Sequence, residues 1–200
     1  MTIKRGKLTL ILGAMFSSKT TTLIKHIQLV INQKLNYEVI KPVIDNRYSK
    51  NHVVTHDGLS VMATIVVNQN KPIEILHQVK ILTDTVFIDE INFFDILTNE
   101  SPFNIIDVIE LLLNKGINVT CSGLLFDFRH EYFEVPKKLL NLADELIELF
   151  SNCCICRNLC DRTQRLVNGQ PARYSDPIIQ VGGSDSYEPR CQNHHIVLDD

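Results

Sequence analysis

The sequence predicts an α/β protein: a mainly parallel sheet with helices on both faces, followed by a small metal-binding appendage. Three observations predict it. Short apolar runs rich in branched residues alternate with segments of helical period, the pattern of strand–helix–strand units. Polar or glycine-containing stretches stand at the carboxyl ends of those runs, where parallel sheets bind ligands. From residue 151 the texture changes to clustered cysteines, turns and short extended pieces. The chain has 200 residues, 44% of them hydrophobic, and a net charge of -3. That is enough for one ordinary core and a small appendage, and we divide it at 1–150 and 151–200.

The first unit, residues 8–31, is a strand, a turn and a helix. Leu8-Thr-Leu-Ile-Leu is the strand, and Leu23, Ile24, Ile27, Val30 and Ile31 form one helical stripe. Residues 37–41 read as a second strand closed by Pro42, and 45–52 as a polar loop. Apolar residues within 53–67, around Asp57-Gly58, suggest a short antiparallel excursion. Pro72 opens a helix running to Leu82, since the missing N–H is not needed in a first turn. Thr85-Val-Phe-Ile is the third strand and ends in Asp89-Glu90. Residues 103–115 form an apolar helix that stops at Gly116. Residues 118–122 are the fourth strand, 136–143 a helix and 145–150 a fifth strand, with a continued helix as the alternative. Asn168-Gly169 is a turn between extended segments.

Composition excludes some classes. No apolar run approaches the ~20 residues of a membrane span, and there is no basic stripe for nucleic acid. Lys4, Arg5 and Lys7 before 8–16 imitate a signal peptide, but removing that segment would delete the first sheet strand. Six cysteines, four of them at 153, 154, 156 and 160, favour metal in a reducing compartment over disulfides.

Two groups of residues carry chemistry. Gly13-Ala-Met-Phe-Ser-Ser-Lys-Thr20 nearly matches a phosphate-binding loop, in which backbone N–H groups and a helix N-terminus converge on phosphate oxygens. Its second glycine is Ser18. Asp89 and Glu90 follow a strand as the acidic residues of a second nucleotide motif do, one able to orient Mg²⁺ and the other to take a proton. In the appendage, Cys153-x-x-Cys156 and Cys191-x-x-His194 supply two paired ligands to a tetrahedral, structural Zn²⁺. Cys154 and Cys160 compete as ligands, His195 is an alternative to His194, and Cys121 reads as packing.

Together the loop, Asp45-Asn-Arg-Tyr, Thr55-His-Asp-Gly, Phe87-Ile-Asp-Glu-Ile-Asn-Phe-Phe, Gly123-Leu-Leu-Phe-Asp-Phe-Arg, Arg162-Thr-Gln-Arg and Gly182-Gly-Ser-Asp-Ser-Tyr-Glu-Pro-Arg-Cys resemble the type II thymidine kinases. The motifs run in the family's order over nearly the whole chain. The resemblance implies a P-loop, RecA-like fold with a zinc-binding lasso, and transfer of the ATP γ-phosphoryl group to the thymidine 5′-hydroxyl. It implies that Gly13, Ala14, Met15, Phe16, Ser17, Ser18, Lys19 and Thr20 hold the ATP phosphates, with Lys19 countering their charge and Thr20 on Mg²⁺. Asp89 supports the metal and Glu90 is the base. Met15, Phe93, Leu124, Phe128, Phe133 and Thr163 surround the nucleoside, and Asp45 and Arg47 lie near the transfer site. Residues 178–187 match the lasso, with Ile178, Gln180 and Gly182 on the thymine side and Tyr187 at the sugar. A cytoplasmic homotetramer inhibited by dTTP, without nucleic-acid or membrane partners, is also implied.

Four positions depart from the family pattern: Ser18 for glycine, Leu125 for aspartate, Ile91-Asn92 for a small residue and glutamine, and Tyr132 for proline. They bear on rate more than on substrate. They also support a second reading, a catalytically weakened nucleotide-binding regulator, against which the retained Lys19, Asp89 and Glu90 argue. A zinc-ribbon nucleic-acid module, the third reading, is disfavoured by the net charge of -3.

Overall fold

The computed structural model describes residues 4–46, 49–55, 58–95 and 103–199. Its centre is a six-stranded sheet in which every pairing is parallel. In chain order its strands and helices begin with β1 (Leu8–Gly13), α1 (Lys19–Asn32) and β2 (Tyr37–Pro42). A short antiparallel hairpin follows, β3 (His52–Val54) with β4 (Ser60–Met62), and then β5 (Ile65–Val67). Next come α2 (Glu74–Gln78), β6 (Thr85–Ile88), α3 (Ile105–Asn114), β7 (Asn118–Gly123), α4 (Glu134–Leu140) and β8 (Glu145–Leu149). The spatial order is β5-β2-β6-β7-β1-β8.

The inner strands are buried along most of their length because helices cover both faces. On one face α1 packs Leu23 and Ile27 against Ile11, Val39 and Phe87. On the other, α2, α3 and α4 enclose Leu10, Leu12, Ile40, Ile88 and Val108. Helix α3 starts at a capping box in which the Asn104 side chain accepts from Ile106 and Asp107 N–H groups and Asp107 accepts from Asn104 N–H.

The structure corrects several sequence readings. The sheet has six strands rather than five, because residues 65–67 leave the excursion and pair with β2 as an edge strand. The expected 72–82 helix is the five-residue α2, ended by the extended backbone of Val79. Ile81 and Leu82 are therefore exposed, and Lys80 instead reaches the buried carboxylate of Glu38 at 3.1 Å. Helix α4 begins two residues earlier than Pro136, with Glu134 in its first turn. Residues 145–149 form a strand, so the helical alternative fails. Asp57 lies outside the described residues, while Gly58 holds φ 84 at the hairpin turn.

After β8 the chain builds two small antiparallel sheets. One pairs β9 (Ser151–Asn152) with β10 (Leu159–Cys160). The other sets β11 (Arg162–Val167) between β12 (Gln170–Pro171) and β13 (Tyr187–Arg190). Asn168 and Gly169, at φ 53 and 78, make the two-residue turn joining β11 to β12, a backbone that asparagine and glycine tolerate best.

Candidate active site

The carboxyl ends of β1, β2, β6 and β7 open on a cavity of about 330 Å³. One wall is the turn between β1 and α1. Gly13 is there for space: a Cβ would stand 2.2 Å from the Leu149 carbonyl oxygen and 2.6 Å from Ser17 Oγ. The turn ties itself together, since Ser17 Oγ and Lys19 Nζ both donate to the Ala14 carbonyl, at 2.8 and 2.6 Å. Ser18 sits at φ 63, ψ 27, in the left-handed region, and Phe16 at φ 62. Residues 15–20 line the cavity, whereas Gly13 and Ala14 stand behind it as backbone support.

The second wall is acidic. Asp89 is buried and accepts a 2.5 Å hydrogen bond from Ser122 Oγ on β7. Glu90, at φ 52, turns the chain from β6 into the 3-10 turn Ile91–Asp95 and lines the cavity beside it. Asn92 Oδ1 accepts from Leu124 N–H at 2.9 Å, joining that turn to the segment after β7. Asp45 lies on the same wall and is paired with Lys41 at 3.1 Å. Arg47 lies outside the described residues.

The third wall is built from residues 124–133 and 163–187. Asp127 Oδ1 accepts from the N–H groups of Arg129 and Glu131 and so shapes the 124–133 loop. Burial raises its pKa above the usual carboxylate range, against the lowering effect of those two donors. Arg129 lies between the rings of Phe128 and Tyr174, at 5.3 and 4.5 Å, and donates to the Asp176 carbonyl. The buried Arg165 guanidinium also faces Phe128, at 5.3 Å, and donates to Pro177 O and Gln180 Oε1. Tyr187 Oη donates to the Gln180 carbonyl at 2.7 Å. These bonds draw Ile178, Gln180, Gly182 and Tyr187 to the cavity, opposite Phe93, Leu124, Phe128 and Phe133. Thr163 Oγ1 accepts from Met15 N–H at 3.0 Å, and Ser151 Oγ donates to the Phe16 carbonyl, so the phosphate-type loop is tied to the chain beyond β8.

Cys153, Cys156, Cys191 and His194 bring their ligand atoms within 4.8 Å of one another. Cys156 Sγ lies 3.7 Å from Cys191 Sγ, and His194 Nδ1 lies 3.7 and 3.2 Å from the sulfurs of Cys153 and Cys191. Metal–ligand bonds of about 2.0–2.3 Å in a tetrahedron need similar separations, so this donor set fits Zn²⁺. Burial pushes the Cys153 thiol up, but N–H groups of Cys156, Cys191 and Ile155 outweigh it and bring the thiol down to about 5. The rival ligands are otherwise engaged. Cys154 Sγ is 3.3 Å from Glu188 Oε2, burial pushes Cys160 up to about 11, and His195 Nε2 is 2.8 Å from the Phe128 carbonyl oxygen. Cys121 is fully buried in β7.

Sequence reasoning missed Lys41, Asn92 and Asp127 as cavity residues. Lys41 gave no signal of its own, since a lysine at a strand end reads as solvated.

A phosphate-type loop, an acidic strand end in the same cavity and a parallel sheet covered on both faces define a P-loop nucleotide-binding phosphotransferase. Comparison with known proteins narrows this. The family model described as thymidine kinase matches residues 6–195. A curated protein named thymidine kinase from Thermococcus kodakarensis is 39% identical over 197 residues, covering 98% of this chain and 96% of that protein. The chain belongs to the thymidine kinase family, and thymidine phosphorylation is its function.

Proposed function

We propose that this enzyme transfers the γ-phosphoryl group of ATP to the 5′-hydroxyl of thymidine, giving dTMP. The observation that carries the reading is one cavity shared by Lys19, Asp89, Glu90 and the 178–187 segment. In this reading residues 1–150 are the nucleotide-binding domain and 151–200 the zinc-binding domain that carries the lasso. The N–H groups of the 13–20 turn that face the cavity and the Lys19 ammonium hold the ATP phosphates, with Gly13, Ala14 and Met15 supporting the turn. Thr20 Oγ1 and Asp89 are the groups that would hold Mg²⁺, whose chemistry when bound is neutralisation of charge on the phosphates. Glu90 accepts the proton of the 5′-hydroxyl as it attacks the γ-phosphorus. The phosphorus–oxygen bond to ADP breaks as the new one forms.

Phe93, Phe128, Phe133, Leu124, Met15 and Thr163 would enclose the nucleoside, and Ile178, Gln180 and Gly182 would meet the thymine edge with Tyr187 at the sugar. Asp45 and Arg47 would serve the transfer site. Zn²⁺ on Cys153, Cys156, Cys191 and His194 is structural, because four protein ligands leave no open position. Membership of the thymidine kinase family supports a cytoplasmic homotetramer inhibited by dTTP as part of this reading. Among the described residues no helix is long and apolar enough to cross a membrane.

A coupled ADP-release assay across thymidine, deoxyuridine, deoxycytidine and purine nucleosides, with the product identified by mass, tests the reading. Preferential formation of dTMP is expected. ATP turnover without nucleoside phosphorylation, or a preference for purines, would refute it.

A further inference from the structure

Lys41 ends the apolar run of β2, is 2% exposed, and lies 3.1 Å from Asp45 Oδ2. Its Nζ also donates to the His52 carbonyl at 3.1 Å. A single ammonium therefore joins the end of β2, the turn that carries Asp45 and the start of β3. It leaves the sheet beside the acidic wall: Ile40 pairs with Ile88, and Asp89 N–H donates to the Ile40 carbonyl. Lys41 and Asp45 both line the cavity with Lys19, Asp89 and Glu90.

Stability alone does not account for this pair, since burying two charges costs about as much as their attraction returns, and an apolar residue would hold the strand as well. Val39, two residues earlier on the same side of β2, is such a residue. What the ammonium adds is a carboxylate fixed in place at the cavity wall. We propose that Lys41 is a positioning residue for phosphoryl transfer, acting through Asp45 by holding its carboxylate and the turn after β2 against the reacting end of the cavity. The inference rests on the proposed kinase reaction. Phosphoryl transfer depends mainly on positioning and charge stabilisation, so a displaced wall lowers turnover before it lowers nucleotide binding.

The test is steady-state kinetics, with ATP and thymidine varied, on wild type, Asp45→Asn, Lys41→Met and the double variant. If Lys41 acts only through Asp45, the double variant equals Asp45→Asn in kcat. Both should fall on the order of 10²-fold, with KM for ATP within about threefold of wild type. Should Lys41→Met alone not fold, because it leaves a buried carboxylate unpaired, Asp45→Asn against the double variant still decides. A double variant tenfold or more below Asp45→Asn, an Asp45→Asn with wild-type kcat, or a loss carried in KM for ATP would each overturn the inference. Wild-type protein that phosphorylates no nucleoside would overturn the kinase reading and this inference with it. Wild-type turnover combined with additive losses overturns this inference alone.

Discussion

Ser18→Gly perturbs the one residue of the β1–α1 turn that departs from the phosphate-loop pattern, and the structure gives the size of the effect. Ser18 is held at φ 63, ψ 27 as the N-cap of α1, and its side chain makes no capping hydrogen bond. Its carbonyl accepts from Thr22 N and Oγ1, at 2.9 and 3.0 Å, and a glycine carbonyl would do the same. The substitution thus removes a Cβ from a left-handed position without removing a cap. Relief of that conformation is worth roughly 1–2 kcal/mol. The freedom that glycine brings to the unfolded chain returns about 0.4–1 kcal/mol. The net gain is roughly 0.5–1 kcal/mol, or a Tm rise of about 1–4 °C for a chain of this size.

If the loop holds this conformation both with and without ATP, strain relief cancels between the two states, and kcat/KM for ATP should change by less than about threefold. A loop strained further on binding ATP would instead give a gain of up to about tenfold. Thermal denaturation and steady-state kinetics on the two forms separate these outcomes. An unchanged or lowered Tm, or a tenfold kinetic gain without a Tm change, would refute the reasoning.

Glu90→Gln should lower kcat on the order of 10²-fold or more while leaving ATP affinity nearly intact, measured by turnover and nucleotide titration; equal loss of both would reassign its role. Cys191→Ala should release zinc, lower Tm and raise the thymidine KM, because Cys191 directly follows β13, which pairs with β11 beside the lasso; metal analysis of protein purified without chelator should give about one zinc per chain. Asp144 accepts from Leu8 N–H and Arg5 at 2.7 and 3.0 Å, and the Leu8 bond foremost holds its carboxyl below the usual range. Its contribution is therefore present above the unfolded value near 3.8 and lost as pH falls through the lower folded value. Asp144→Asn should lower Tm at neutral pH and flatten the acid limb of a Tm–pH series.

The alternation of strands and helices was legible because the central strands each carry a short cluster of apolar residues that helices cover: Leu10, Ile11, Ile40, Phe87 and Ile88 are all essentially inaccessible. Strand β5 was not legible. It has three residues, follows a hairpin, and gains its identity by pairing with β2, from which it is separated by a polar loop. The α2 error has the same origin, since 73–82 has the helical period but only Ile75 of the helix itself is buried. In the metal cluster, ligand spacing identified two knuckles, yet adjacent histidines cannot be ranked by spacing. The choice is made by a distant carbonyl, that of Phe128, which engages His195. Lys41 was hidden for a related reason: a lysine at a strand end reads as solvated until its partner, four residues on, is seen to fold back over it.

The strained positions show how such a site persists. Seven non-glycine residues among those described have φ above zero, and Phe16, Ser18 and Glu90 of these line the cavity. Such conformations cost of order 1–3 kcal/mol each and survive only where surrounding structure fixes them. Here the fixing elements are identifiable. Lys19 and Ser17 bind the Ala14 carbonyl, Met15 N–H is held by Thr163, and the Phe16 carbonyl by Ser151. Glu90 lies between Asp89, anchored on Ser122, and Phe93, whose N–H donates to the Glu90 carbonyl. Two of the restraints on the phosphate-type loop come from beyond β8, in the part of the chain that also bears the Cys153, Cys156, Cys191 and His194 cluster. The 151–200 segment therefore braces both sides of the cavity, the loop through Thr163 and Ser151 and the 178–187 segment through Arg165 and Tyr187.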